Sequence, residues 1–294
     1  MAVPHSTAYT LINPADGNLA FKVFWFDSNA PFDHVQRLNY YCLIVVQQGQ
    51  GRVKADFAMH SFGPDTLLSF APYQPFMVQT EDEVRGYAIQ FHPDFFCIHK
   101  HHREVACNGV LFNNIYEPPL LKLDAGERET FDRLAEDMRD EVQHKALAQY
   151  ELLISYLKIV LVTASRIKAH QSSEASAEST AEVPFRLQEL RAAIERHYRQ
   201  KHSASDYADL LNVTPKALAK ITRQHFHKTL TDLIAERIVI EAKRELYLTA
   251  KPVKAIAYEL GFEDEYYFSR FFKKNTDVSP QLFRQTVGFA RAES

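Results

Sequence analysis

The sequence predicts an α+β chain of two domains, a β-barrel with attached helices followed by an all-α module, and three observations carry that reading. Between Phe21 and Phe91 short apolar runs recur at intervals of roughly ten residues, the rhythm of a small barrel or sandwich. Residues 170–183, HQSSEASAESTAEV, break every apolar period with small, polar and acidic side chains. Beyond them the period is helical, and two segments about 50 positions apart can be laid over each other. The expected division is 1–169 for the barrel and its helices, 170–184 for a flexible linker, and 185–294 for the helical module.

The strand candidates are FKVFWF (21–26), LNYYCLIVVQQ (38–48), GRVKADFAM (51–59), DTLLSF (65–70), PFMVQT (75–80) and VRGYAIQF (84–91). Their β-branched and aromatic residues suit a pleated surface, and Gly, Pro and acidic residues punctuate them. From Asp124 the period changes. Asp124 with Glu127 three residues on has capping-box spacing, and Phe131, Leu134 and Met138 repeat on one helical face. A second helix carries Leu152, Leu153, Tyr156, Leu157, Val160 and Leu161, a stripe wide enough both to pack on the barrel and to meet a second copy of the chain.

Composition sets the class. In 294 residues, 46% hydrophobic and 24% charged is the balance of a globular protein with room for two cores. No run reaches the roughly 18 apolar residues of a membrane span, and the first residues lack the order of a signal peptide, so a cytoplasmic protein is expected. Cys42, Cys97 and Cys107 stand at unrelated spacings, which favours reduced, buried thiols over disulfides. The net charge of −3 hides an asymmetry. Residues 185–294 hold 19 Lys and Arg against 14 Asp and Glu, a balance of +5, and the remainder holds 15 against 23, a balance of −8. The helical module is the part suited to a polyanion.

In the first copy, SASDYADLLNVTPKALAKITRQHF (203–226), a short helix ends at Leu211, Asn212 accepts a left-handed turn, and Thr214 caps a second helix with Pro215 at its first position. In the second, KPVKAIAYELGFEDEYYFSRFFKK (251–274), Pro252 opens a helix, Gly261 supplies the positive-φ turn, Phe262 plugs the core and Asp264 caps the next helix. Each is a helix-turn-helix signature, with Ala208 and Ala257 letting the paired helices approach and Leu218 and Phe268 as core anchors. The spacing turns Phe268, Phe271 and Phe272 inward and Glu265, Tyr266, Ser269, Arg270 and Lys273 outward. The matching outward positions of the first copy are Lys216, Ala219, Lys220, Arg223 and Gln224. A single surface cation is ordinarily a solvated charge; here both copies repeat the placement, Lys220 matching Arg270. Between them Ile234, Ile238, Ala242 and Leu246 at intervals of four make one long connecting helix.

With these residues in view, ERIVIEAKREL and VKAIAYELGFEDEYYFSRFFKKNTDVSPQLFR resemble the AraC/XylS family of bacterial transcription regulators over about residues 186–287. The resemblance implies a double helix-turn-helix domain that binds two adjacent major-groove segments of double-stranded DNA and usually activates transcription by touching RNA polymerase. It carries DNA contacts onto Lys216, Ala219, Lys220 and Arg223, and onto Glu265, Tyr266, Ser269, Arg270 and Lys273. It also implies an N-terminal cupin-like barrel that binds a small-molecule effector, and helices behind it that form a homodimer. The family commonly has Gly where this chain has His227 and Asp277, so the turn closing each recognition helix must be made by a non-glycine residue.

For the barrel interior, Trp25, His34, Tyr41 and Gln90 are pocket candidates, each equally compatible with ordinary packing. Cys97, His99, His101, His102 and Cys107 form a rival site, since imidazole and thiolate suit zinc or a redox-responsive centre. Their spacing matches no closed structural site, and a basic loop with exposed histidines is the plainer reading. A regulator without an effector is a further alternative. No paired carboxylates, nucleophile elbow, phosphate loop or facial His/His/carboxylate triad is spaced for catalysis, so neither an enzyme nor a cofactor is expected.

Overall fold

The computed structural model describes residues 8–13, 17–80, 83–144, 146–177 and 182–287. By contacts the chain divides into two compact units, Met1–Asn114 with Pro118–Ser172 and Ile115–Glu117 with Ser173–Ser294. Together they make the two-part α+β architecture.

The first unit runs β1 (Ala8–Ile12), β2 (Leu19–Phe26), β3 (Tyr41–Gln48), β4 (Gly51–Ala55), β5 (Ala58–Phe62), β6 (Thr66–Phe70), β7 (Phe76–Gln79), β8 (Arg85–Phe91), α1 (His102–Val105), β9 (Leu120–Lys122), α2 (Ala125–Gln143) and α3 (Gln149–Ala177). A six-stranded antiparallel sheet has the order β1-β2-β8-β3-β6-β9, and a three-stranded sheet the order β5-β4-β7. The run 51–59 splits into β4 and β5 because Asp56 takes a positive φ of 51° at the hairpin. Side-chain alternation then makes two cores from one sheet. Phe24, Phe26, Cys42, Ile44, Leu68, Phe70 and Ala88 point inward, against Val53, Phe62, Phe76 and Val78 of the smaller sheet. Phe21, Val23, Leu43, Val45, Ile89 and Phe91 point outward, against Phe131, Leu134, Met138, Leu153, Leu157 and Leu161 of α2 and α3. Burial on both faces is why β3, β6 and β8 read as continuous apolar runs instead of an alternation.

Helix α2 opens with the expected capping box: Glu127 N–H donates to Asp124 Oδ1 at 2.7 Å and Asp124 N–H to Glu127 Oε2 at 2.8 Å. All three cysteines are free and buried. The expected linker 170–184 is corrected at both ends. Helix α3 continues to Ala177 and the next helix begins at Glu182, while residues 178–181 lie outside the described residues. Gln171, Glu174, Ala175 and Ala177 are strong helix formers and no glycine intervenes, so the polar composition that hides an apolar period does not stop α3 before Ala177. Among the described residues no helix is long and apolar enough to cross a membrane.

The second unit runs α4 (Glu182–His197), α5 (Ala204–Leu210), α6 (Pro215–Phe226), α7 (Leu230–Leu248), α8 (Val253–Glu259), α9 (Glu265–Thr276) and α10 (Pro280–Val287). Helix α7 is its centre. Ile234, Ile238, Ala242 and Leu246, the predicted stripe, are all buried, and α7 touches α4, α6, α8, α9 and α10. It also buries three carboxylates, each paired with a cation of another segment. Glu236 meets Lys228 Nζ at 2.7 Å, Glu241 meets Arg199 Nη2 at 2.9 Å, and Glu245 meets Lys251 Nζ at 3.0 Å. Arg237 and Arg244, on α7 itself, complete the shell around Glu241. Burial alone would raise the Glu241 carboxyl, but Arg244, Arg237 and Arg199 outweigh it and hold it below its ordinary 4.5.

Glu241→Ala leaves three guanidinium groups around an empty site and is expected to destabilise the helical unit by about 3 kcal/mol, measured by chemical denaturation. The loss is no larger because Arg199 and Arg244 remain 42% and 44% exposed. A carboxylate with a depressed folded-state pKa contributes stability above its unfolded value and loses it as the pH falls. Below pH 4.5 the native chain is therefore expected to lose stability more steeply than Glu241→Gln, as read from acid denaturation profiles.

Candidate nucleic-acid interface

Two helix-turn-helix units are built by the same local devices. Ala208 and Ala257 are fully buried where the paired helices cross. Each accepts the same hydrogen bond, from Val213 N–H and from Phe262 N–H, both at 3.0 Å. The turns pass through Asn212 at φ 50° and Gly261 at φ 81°. Thr214 Oγ1 then accepts from Ala217 N–H at 3.2 Å to start α6, and the Asp264 carboxylate accepts from Tyr266 and Tyr267 N–H at 3.1 and 2.9 Å to start α9.

The recognition helices repeat position for position at an offset of 50. Leu218 and Phe268 anchor the core at 3% and 0% exposure. The next two buried pairs exchange volume, Thr222 against Phe272 and Phe226 against Thr276, so each module keeps one large and one small side chain under its recognition helix. His227 and Asp277 close the helices at φ 55° and 62°, the left-handed conformation that the missing glycines required. Phe271 is only half-buried, resting on Phe262 with ring centroids 5.1 Å apart.

On the outward face of α6, Lys216, Ala219, Lys220 and Arg223 are all exposed. With Thr214, Ala217 and Gln224 they line an open concave surface of about 770 Å³. On α9, Tyr266 is 74% exposed and Arg270 and Lys273 are exposed, whereas Glu265 and Ser269 are half-buried. The Arg270 guanidinium lies 4.0 Å from Asp264 and keeps 71% of its side chain exposed. Among the described residues Lys216, Lys220, Arg223 and Lys273 enter no ion pair. The cations that hold α7 in place are all engaged with glutamates. Buried glutamates thus engage the cations around α7, while both recognition helices keep exposed cations on their outward faces.

Tyr267, 57% exposed, flanks the outward Tyr266 on α9 and extends this face beyond the expected residues. Position 267 follows 266 on the helix, and 267, 270 and 274 share a flank, which is the signal that would have found it. Lys274, exposed and equivalent to Gln224, joins the same flank.

The pocket candidates of the first unit separate. Trp25 and Tyr41 belong to the outer core, where the Arg139 guanidinium lies 5.4 Å from the Trp25 ring and Tyr41 stacks on Phe91 at 4.9 Å. His34 is a surface residue, 71% exposed beside Asp33. Gln90 alone is on the inner face, with Nε2 3.6 Å from Cys42 Sγ. The His/Cys segment does not converge either. Cys97 and Cys107 are buried, and burial pushes the Cys107 thiol up to about 12. His101 stacks on Phe96 and meets Glu104 at 2.8 Å, and His102 Nδ1 lies 3.0 Å from His99 O. Among the described residues no three His, Cys, Asp or Glu side chains are grouped to hold a metal ion. The thiols follow the apolar core while the imidazoles follow the surface of a one-turn helix.

A two-unit fold with paired helix-turn-helix modules defines the class. A family model described as a helix-turn-helix domain matches residues 207–286, and one described as an AraC-like ligand binding domain matches residues 31–97. The chain is 32% identical over 101 residues to the regulatory protein SoxS of Escherichia coli K12, covering 34% of this chain and 94% of SoxS. It is 27% identical over 150 residues to the HTH-type transcriptional activator RhaS of Enterobacter sp. strain 638, covering 51% of this chain and 50% of that protein. It is 31% identical over 93 residues to the arabinose operon regulatory protein of Salmonella typhimurium, covering 30% and 33%. The matched region thus spans half or less of the length of these last two relatives. The chain belongs to the AraC/XylS family.

A Cβ added at Gly261 would stand 2.1 Å from Arg199 O, on a backbone that L side chains rarely adopt. Gly261→Ala is expected to lower stability by more than about 2 kcal/mol, against about 1 kcal/mol for Asn212→Ala, whose site imposes the left-handed backbone alone. Denaturation midpoints of the two variants check the order.

Proposed function

We propose that this chain is a sequence-specific DNA-binding transcription regulator, an activator of the AraC type that works through RNA polymerase and responds to a small molecule held in the N-terminal unit. The observation that carries the reading is the repetition of exposed cations at the same positions of two recognition helices, Lys220 with Arg270 and Arg223 with Lys273. Helix α7 has 19 residues, about 28 Å at about 1.5 Å per residue, a length that suits a strut between readers of grooves recurring every ~34 Å. Arg270 suits a bidentate contact to a guanine edge, Lys216, Lys220, Arg223 and Lys273 suit phosphates or base edges, and Tyr266 suits a thymine methyl. Ala219 and Ser269 are small enough to admit a base edge, and Glu265 can accept from a cytosine amine.

The half-exposed stripe of α3, with Leu152 at 40% and Ile159 at 48%, supports a homodimer, which would pair the DNA sites. The division of labour assigns effector binding and dimerisation to 1–169 and DNA binding to 185–294, in a cytoplasmic protein. RhaS, SoxS and the arabinose regulator are named as an activator and regulatory proteins, which supports a regulator over an enzyme.

The experiment is binding to DNA selected from a random pool, compared with scrambled DNA over a range of salt. Arg270→Ala is expected to lower discrimination at one base pair by about 1–3 kcal/mol. Lys273→Ala is expected to weaken both DNAs alike and reduce the salt slope by about one. Equal loss on selected and scrambled DNA for Arg270→Ala would remove that residue from base reading, and a native chain without affinity for duplex at low salt would end the proposal.

A further inference from the structure

The duplication continues past the recognition helices. At the same offset, Thr229 and Ser279 each accept a hydrogen bond from the N–H three residues on, at 3.2 and 3.1 Å, and so start α7 and α10. Leu230 then matches Pro280 and Leu233 matches Phe283, all four buried. Helix α10 is the short counterpart of the first two turns of α7. The next position breaks the repeat. Ile234 is 1% exposed in the core of the first module, and its counterpart is the half-buried Arg284.

Arg284 is turned to main chain. Among the described residues it pairs with no carboxylate. Its Nε donates to Leu246 O at 3.1 Å and its Nη2 to Lys251 O at 2.7 Å, with Thr249 O 3.5 Å from the same nitrogen. Leu246 lies in the last turn of α7, whose carbonyls lack helical partners, and Lys251 stands two residues before α8. One planar guanidinium thus grips the chain on both sides of the turn that leads from α7 into the second module. Lys251 adds a side-chain bridge over the same turn, to Glu245 of α7 at 3.0 Å and to Glu259 of α8 at 2.6 Å. Its Glu259 arm is 39% exposed on both partners and contributes little by itself. Helix α10 is also fixed to the reading helix α9, since Phe283 meets Phe272 with ring centroids 5.7 Å apart. The connection from α7 to α9 therefore runs through Arg284 as well as through the covalent turn. An isoleucine at 284 would serve the core; burying part of an arginine there disfavours the charge and draws it down from its ordinary value. What the arginine adds is direction, two carbonyls held at fixed angles by one rigid fork.

From this we infer that Arg284 is a positioning residue. It fixes the angle between α7 and the second helix-turn-helix module, and with it the spacing and phase of the two duplex segments that α6 and α9 can read together. The inference rests on the DNA-binding reading proposed above.

The test uses the full chain, native and as Arg284→Met, which keeps an apolar stem and removes the fork. Duplexes selected by the native chain from a random pool are remade with one base pair inserted or removed between the two segments. One base pair turns the second groove by roughly 35°, so the native chain is expected to lose about 10-fold or more in affinity on either change. Arg284→Met is expected to bind the selected spacing about 10-fold more weakly and to discriminate against the altered spacings by less than about 3-fold. It keeps the native preference at the base pair assigned to Arg270, which a disordered α9 would lose. Without DNA, spin labels at Gln224→Cys and Lys274→Cys, equivalent exposed positions on α6 and α9, read the distance between the two helices while the three native thiols stay buried. A narrow distance distribution is expected in the native background and a broader one with Arg284→Met. Circular dichroism melting checks folding, and Arg284→Gln, which retains an amide donor, replaces Arg284→Met if the latter melts below the assay temperature. The inference is overturned by a variant that keeps the native spacing preference, by loss of the Arg270 base preference along with affinity, or by an unchanged label distribution. A native chain without affinity for duplex would instead end the DNA reading, and the label distances would still decide whether Arg284 sets the angle.

Discussion

Burying three carboxylates along one helix is the constraint on which the helical unit depends. Glu236, Glu241 and Glu245 are 8%, 4% and 8% exposed, and each would be strongly disfavoured there without a cation brought from elsewhere. Lys228 comes from the turn before α7, Arg199 from the end of α4 and Lys251 from the turn before α8. Ion pairs of this kind add little net stability over apolar packing, but they penalise every arrangement in which a partner is misplaced. The apolar stripe of α7 could tolerate sliding by a turn; the glutamates could not. The placement of both recognition helices against one strut follows from that intolerance.

The same cations bear on the outer surface because their charges are already spent on the buried glutamates. Charges needed for the frame are consumed in the frame, so those left exposed and unengaged on α6 and α9 are free to meet an external anion without breaking anything. The recognition helices are held from beneath by Leu218, Phe268, Phe272 and Phe226, and their ends by Thr214, Asp264, His227 and Asp277. Reading face and supporting face are thus separable, the condition under which outward residues can vary in specificity without loss of fold.

The first unit solves a different problem with one sheet. Packing on both faces lets eight-residue strands such as β3 be buried almost throughout, and it leaves the partition of side chains between barrel interior and helix layer to the parity of each position. Trp25 and Tyr41, candidates for the interior, fall in the helix layer, while Gln90 falls inside. Parity is legible only when a strand's phase is known, and a run that is apolar at every position shows no phase.

What the sequence by itself determined is everything whose cause is local. Capping at Asp124, Thr214 and Asp264, the left-handed turns at Asn212 and Gly261 and the buried stripe of α7 depend on residues within a few positions of each other, and all are found in the structure. The linker expected over 170–184 is helical at 170–177 and 182–184, because there helix propensity outweighs the polar composition. Only the tertiary structure decided which side chains meet across distance: that Gln90 stands opposite Cys42, that Arg199 reaches Glu241, and that the thiols and imidazoles between Cys97 and Cys107 part company. These contacts depend on register, on the phase of each strand and on which helix covers which face. Such quantities are set when the whole chain closes around its cores, because the free energy that selects them is the burial of many residues at once.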